Sequence, residues 1–284
     1  MASKQSILIG VLAGAFAVAA GTAGYLYGKV QATSVGAQAK AVTPVQATAA
    51  PAASVAVQQA AAPDGVRAIT DIFGTAPQAG ALATANSLTK PWYAQTLARG
   101  QEQLHIVFSA TQELDPATRK PVDAHAQAPA ISAAVYRLQG NDWQLESTAK
   151  AFAQFGAWGE AGKLDRRADV VTFPSGVLGL LLDTSESGQG YTEVGKRVWA
   201  YSNREWRDLG LVQTGGDNDG AAVDDKDRYE FKGTVSVLPG VEPFPDLRVA
   251  RTGTNRDDSG KIGPAKDTAF HYNGKEYVEL SGSK

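Results

Sequence analysis

Apolar and polar positions divide the chain into three stretches. From Ser6 to Gly28 the sequence reads SILIGVLAGAFAVAAGTAGYLYG, 23 positions without a charge. As a helix this run would be about 34 Å long, which matches the roughly 20 residues a hydrocarbon core requires. Lys4 precedes it and Lys29 follows it, and Tyr25 and Tyr27 stand where amphipathic rings favour a headgroup belt. The pattern predicts a short cytoplasmic tail (1–5) and a transmembrane helix or uncleaved signal anchor (6–28). The alternative is a secretory signal cleaved near Ala17-Val18-Ala19. The first reading gives a single pass through the inner (cytoplasmic) membrane with the C-terminal domain extracytoplasmic. The second gives a protein secreted to the periplasm.

Residues 29–65 lose both the long apolar run and any periodicity. Alanine takes 13 of the 34 positions from 31 to 64, and Pro44, Pro51 and Pro63 interrupt any long helix. With valine as the largest apolar side chain, this stretch cannot bury enough to offset its ordering entropy. It is predicted to be a flexible linker.

From residue 66 to 284 the dominant period is two, the period of strands. Leu104, Ile106 and Phe108 alternate with His105, Val107 and Ser109. Three segments align: VYRLQGNDWQLE (135–146), VWAYSNREWRDL (198–209) and AFHYNGKEYVEL (269–280). Each has an aromatic at its second and ninth positions with an asparagine turn between, the pattern of a hairpin with one packed face. Each is preceded by an apolar strand and a polar loop. The expected fold is therefore all-β: antiparallel sheets from about three strand–strand–loop–hairpin units, sandwich-like or propeller-like. One exception is Ser87 to Ala98, where Ser87 or Thr89 as a cap and Pro91 in the first turn predict a short helix.

Charge and composition narrow the function. Lys4, Lys29 and Lys40 are the only charges before Asp64, which leaves 24 basic and 29 acidic residues beyond it. That balance argues against nucleic acid as a partner. The chain has no cysteine, so disulfides and thiol chemistry are absent. No G-x-S-x-G, phosphate-cradling loop or dinucleotide fingerprint occurs. His105, His125 and His271 are widely spaced and form no ligand motif.

Two features carry candidate chemistry. Asp217, Asp219, Asp224, Asp225 and Asp227 crowd a glycine-containing loop. Hard oxygen ligands gathered this way suit calcium, so they are the expected metal residues and calcium the expected ion, although the EF-hand spacing is not met. The segment GGDNDG (215–220), joined to an aromatic hairpin, resembles the calcium-loop repeats of integrin-type propellers. The resemblance covers only that segment and transfers no residue role. The second feature is a pair of long polar loops, 111–129 and 253–267, at equivalent places in the repeat. Arg119, Lys120 and Asp123 in one, with Arg256, Asp257, Asp258 and Lys261 in the other, are the expected partner-binding residues. The resulting expectation is a membrane-tethered extracytoplasmic protein that recognises another envelope protein or a cell-wall polymer, an inhibitor or immunity protein among the options. The alternative is an envelope hydrolase with a carboxylate- or metal-based site.

Overall fold

A computed structural model of the chain describes residues 60–122, 124, 126–162, 164, 167–257 and 259–280. The expected membrane span at 6–28 lies outside them. Among the described residues no helix is long and apolar enough to cross a membrane, and the one α-helix, α1 (Gly65–Phe73), has nine residues. The expected single-pass anchor and membrane partner therefore find no support in the structure. The linker boundary also moves. Ala60 N–H donates to the Asn141 carbonyl at 2.9 Å and Trp143 Nε1 donates to the Ala60 carbonyl at 3.2 Å, so residues 60–64 lie on the folded domain. Asp64 caps α1 by accepting from Arg67 N–H at 2.8 Å, and Gly74 ends the helix with φ 73°.

Two antiparallel sheets follow. The first is a five-stranded meander of β1 (Leu82–Ala83), β2 (Ser87–Arg99), β3 (Glu102–Glu113), β4 (Ala130–Gln139) and β5 (Asp142–Gln154). The second has nine strands: β6 (Asp169–Thr172), β7 (Leu178–Gly188), β8 (Tyr191–Ser202), β9 (Glu205–Asp217), β10 (Glu230–Val237), β11 (Leu247–Arg256), β12 (Ile262–Pro264), β13 (Thr268–Tyr272) and β14 (Tyr277–Glu279). Its order is β14-β13-β11-β10-β9-β8-β7-β6, with β12 paired to β11.

This corrects the expected architecture. The chain does not form three repeated four-stranded units in a propeller or in a sandwich of such units. It forms one open sheet and one half-barrel. The three aromatic hairpins exist as β4–β5, β8–β9 and β13–β14, but each is embedded differently. The expected helix at Ser87–Ala98 is strand β2, paired along its length with β3. Pro91 and Ser87 mimic a helix start, but long-range pairing wins. Pro91 sits where the β2–β3 register shifts, beyond the two-residue pairing with β1, so its missing N–H interrupts little of the ladder.

Burial explains the layering. Leu178, Leu180 and Leu182 of β7, with Trp199 and Tyr201 of β8, face the open sheet and pack with Leu104, Ile106, Phe108, Ile131 and Val135. The alternate residues Leu181, Val198 and Ala200 face the other way, into a second core with Leu209, Val212, Leu247, Val249, Phe270 and Tyr277. β7 and β8 are thus walls shared by two cores, which is why VLGLLLDT reads as a nearly unbroken apolar run. In the second core one sheet folds over on itself: β6–β9 form one wall and β10, β11, β13 and β14 the other. β14 returns beside β9 at Gly210, where φ is 90° and a Cβ would lie 3.0 Å from Glu276 Cβ. A side chain there would push the two walls apart. On its outer face the open sheet is covered by α1, whose Ala68 and Ile72 meet Val107, Ala134 and Tyr136.

Candidate functional site

A half-open cavity of about 540 Å³ lies in the mouth of the half-barrel. Backbone pairing creates it. β10 pairs with β9 at only three positions, Glu230↔Asp217, Phe231↔Gly216 and Lys232↔Gly215, while its other edge stays paired with β11 from Phe231 to Val237. A wedge opens between β10 and the β6–β9 wall. Gly215, Gly216 and Gly233 line it and contribute no side chains to fill it. A Cβ on Gly233 would lie 2.5 Å from Val249 Cγ1, so glycine there also sets how closely β10 approaches β11.

The apolar lining is Val171, Leu181, Val194, Phe231 and Val235. Its polar centre is Lys196. On β8 the inward positions run Val194, Lys196, Val198 and Ala200, so a single lysine interrupts an apolar face. Asp183 is its Cα partner across the β7–β8 ladder, and Asp169 stands on the next strand. Lys196 Nζ lies 2.6 Å from Asp183 Oδ1 and 2.8 Å from Asp169 Oδ2. The lysine side chain is 12% exposed, and the two aspartates are 45% and 44% exposed. A desolvated ammonium is therefore held beneath two carboxylates that face the opening, an arrangement in which the pairing offsets the cost of burying the lysine.

Asp217, Glu230 and Lys232 complete the rim. Glu230 contacts Lys232 Nζ at 2.7 Å and holds that ammonium above its ordinary pKa. The cavity thus carries four carboxylates and two ammonium groups over an apolar floor. Barrel mouths with apolar walls and a few placed polar groups are a common setting for small ligands.

Of the sequence-predicted metal residues, Asp217 alone lines this cavity. Asp217 Oδ1 accepts from Asp219 N–H at 3.2 Å. Asp224 meets Lys226 at 3.4 Å and Asp225 meets Arg228 at 3.5 Å. The Asp227 carbonyl accepts from Asn218 Nδ2 at 2.8 Å, and Asn218 Oδ1 accepts from Tyr229 N–H at 2.7 Å. The acidic loop is therefore built around a buried asparagine. Among the described residues no three His, Asp or Glu side chains converge to hold a metal ion.

The predicted partner-binding residues separate onto different sheets. Arg119 has φ 60° and its guanidinium donates to the Ala85 and Thr84 carbonyls, tying loop 111–129 to the entry of β2. The Lys120 carbonyl accepts from Asp115 N–H at 2.8 Å within the same loop. Arg256 ends β11, while Asp257 accepts from Ser259 N–H at 2.9 Å and Lys261 N–H at 3.0 Å to form the β11–β12 turn. The Ser259 hydroxyl, which donates to Asp257 Oδ1 at 2.6 Å, and then these backbone bonds hold the Asp257 carboxyl below its usual range. Asp123 and Asp258 lie outside the described residues. Loop 111–129 joins two strands of the open sheet and loop 253–267 belongs to the half-barrel sheet, and among the described residues no hydrogen bond or ion pair joins them.

Sequence reasoning missed Asp169, Asp183 and Lys196. The available signal was charge placed on an apolar alternation: Leu181 then Asp183, and Val194, Lys196, Val198. The class defined by this fold and cavity is an all-β, two-sheet domain with a charged cleft in a half-barrel mouth. The chain matches no protein-family model, no curated protein and no solved structure.

Proposed function

We propose that this domain binds a small molecule in the half-barrel mouth. The observation that carries the reading is the cavity of about 540 Å³ in which Lys196 pairs with both Asp169 and Asp183 above an apolar floor. Its volume falls within the roughly 300–1,000 Å³ typical of ligand sites. The reading replaces the membrane-tethered recognition of an envelope protein or polymer, because no helix among the described residues is long and apolar enough to cross a membrane.

The test is a fragment screen of the full chain by NMR, repeated with Val194→Trp. Val194 is partly exposed at the cavity wall, so the larger ring can enter the opening without displacing the core. Fragments that perturb β7–β10 resonances and are lost in Val194→Trp, with the remaining spectrum preserved, support the reading. A screen in which no fragment perturbs those strands overturns it.

One observation favours a second reading. Two carboxylates converging on an open cleft are the minimum apparatus for hydrolysis of a glycosidic bond. Hydrolysis needs one of them to act as an acid, and here one ammonium pairs with both. Turnover of chromogenic glycosides that disappears in both Asp169→Asn and Asp183→Asn would promote this reading. Absence of turnover, or turnover unchanged in both variants, would remove it.

A further inference from the structure

Asn273 and Gly274 are the only Asn-Gly pair in the chain, and they sit in the exposed turn between β13 and β14. The Asn273 side chain organises that turn. Its Oδ1 accepts from Lys275 N–H at 2.9 Å and from Glu276 N–H at 3.0 Å. Asn273 N–H donates to the Glu276 carbonyl at 3.1 Å and closes the loop. Gly274 N–H donates no hydrogen bond among the described residues, and nothing lies within 4 Å of where a Cβ would stand on Gly274. Other asparagines are placed differently. Asn218 is 2% exposed and bonded through both side-chain polar atoms. The N–H that follows Asn86 is committed to Thr84 Oγ1 at 3.0 Å.

We propose that Asn273 is a self-modification site: its turn promotes attack of the Gly274 nitrogen on the Asn273 side-chain amide, converting the asparagine to aspartate and iso-aspartate. The Gly274 nitrogen gives its proton to hydroxide and bonds to Asn273 Cγ. The carbonyl electron pair moves onto Oδ1, where the Lys275 and Glu276 N–H groups already stand at the distance that stabilises an oxyanion. The oxyanion collapses, the Cγ–Nδ2 bond breaks, and Nδ2 leaves as ammonia with a proton from water. Water then opens the cyclic imide at either carbonyl. The net change is amide plus water to carboxylic acid plus ammonia, with nothing oxidised or reduced.

The two products act differently on the fold. Aspartate adds a charge and keeps the backbone. Iso-aspartate routes the main chain through the former side chain and lengthens the loop. That disturbs the Asn273–Glu276 closure and the bond from the Tyr272 hydroxyl to the Gly274 carbonyl at 2.9 Å. Tyr272 packs on Phe244 and Tyr277 at the half-barrel core. Iso-aspartate therefore loosens a hairpin that is paired at only three positions.

The test uses the full chain, with and without Arg204→Gly. Arg204 has φ 66°, a conformation glycine adopts freely. The variant thus places a second Asn-Gly pair in an exposed hairpin turn, where Asn203 accepts no side-chain hydrogen bond among the described residues. Both chains are aged at mildly alkaline pH, and acid formation at each asparagine is followed by peptide mass spectrometry. Asn273 is expected to convert while Asn86 and Asn218 stay intact. It is expected to convert at least about threefold faster than Asn203 in the variant, and at least about threefold faster than in a synthetic peptide of residues 267–280. A smaller ratio in either comparison, or an unconverted Asn273, overturns the proposal. Leu280 N–H donates to the Ala269 carbonyl at 2.8 Å, so its hydrogen exchange reports the hairpin. Exchange there should quicken in the iso-aspartate fraction but not in Asn273→Asp; equal exchange in the two overturns the loosening.

Discussion

Tyr201 donates its hydroxyl to the Glu146 carboxylate at 2.8 Å across the boundary between the two sheets. Tyr201 comes from the half-barrel and Glu146 from the open sheet, so this bond spans two elements that share no ladder. Glu146 is 4% exposed, and its oxygens also lie 3.4 Å from Arg99 Nη2 and 3.5 Å from Arg137 Nε. The second contact has poor geometry, and Arg137 Nε makes no hydrogen bond. Burial, reinforced by Glu146, pushes the Tyr201 hydroxyl well above its ordinary pKa and keeps it a donor.

Removing one side of this link tests its worth. Tyr201→Phe deletes the hydroxyl and leaves the ring in the core, and is expected to cost about 1 kcal/mol. Glu146→Ala leaves two guanidinium groups and a buried hydroxyl without their shared partner, and is expected to cost about 3 kcal/mol. Urea unfolding of each variant checks the order. If Glu146→Ala is no worse than Tyr201→Phe, the arginines are satisfied by Glu102 alone.

The aromatic core predicts a larger effect. Trp199 is fully buried and lies 5.0 Å from Phe152, 5.2 Å from Phe108 and 5.8 Å from Phe155, ring centre to ring centre. Trp199→Ala would open a cavity between the sheets and is expected to cost about 3–5 kcal/mol. Trp199 Nε1 makes no hydrogen bond, so Trp199→Phe removes an unsatisfied donor along with the extra ring. A loss well below that of the alanine variant is expected, measured by the same unfolding curves.

These aromatics also show what the sequence made legible. The residues of the three hairpins were readable because a turn flanked by alternating aromatics leaves few local alternatives. The repeat built on them was not a repeat in space. Trp199 and Trp206 join the core between the sheets, Tyr277 joins the core inside the half-barrel, and Trp143 faces the outside beneath residues 60–64. Local spacing cannot report which face of which sheet a hairpin will meet. The site was hidden for a related reason. Asp169, Asp183 and Lys196 become neighbours only through β6–β7 and β7–β8 register, whereas the acidic run from Asp217 to Asp227 was conspicuous because it is contiguous.

The acidic loop is expected to be stable without a divalent cation. Asn218 is 2% exposed and bridges Asp227 and Tyr229, while Gly220 N–H donates to the Gly190 carbonyl at 3.1 Å. At Gly190 φ is 80° and a Cβ would lie 2.2 Å from the Gly220 carbonyl carbon. Chelator should leave the melting temperature unchanged, whereas Asn218→Ala strands a backbone donor and acceptor and should cost about 2 kcal/mol. A melting temperature that drops with chelator and returns with calcium would refute this account of the loop.

Residues 60–64 should leave the sheet as pH falls, and His105 is the reason. His105 Nε2 lies 2.9 Å from the Pro63 carbonyl, which can only accept, so Nε2 carries the proton. Nδ1 then accepts from Thr96 Oγ1 at 2.7 Å, and the ring is neutral. Burial lowers the imidazole below its ordinary value of 6.5, against the opposing effect of the Pro63 carbonyl. The charged groups nearby on α1 are Arg67 and Asp71, which pair at 2.9 Å, and the cap Asp64; Tyr136 donates to Asp71 at 2.8 Å from the sheet. Because the folded-state value is lowered, the unfolded or undocked state binds the proton first. The contribution is complete above about pH 6.5 and is lost as the pH falls toward the folded-state value. Hydrogen exchange at the Ala60 amide should therefore accelerate, relative to the intrinsic rate, as the pH falls below about 6.5. In His105→Gln the side chain still donates to Pro63 but cannot titrate, so protection should become independent of pH over that range. The same acid loss of protection in His105→Gln would place the titrating group elsewhere.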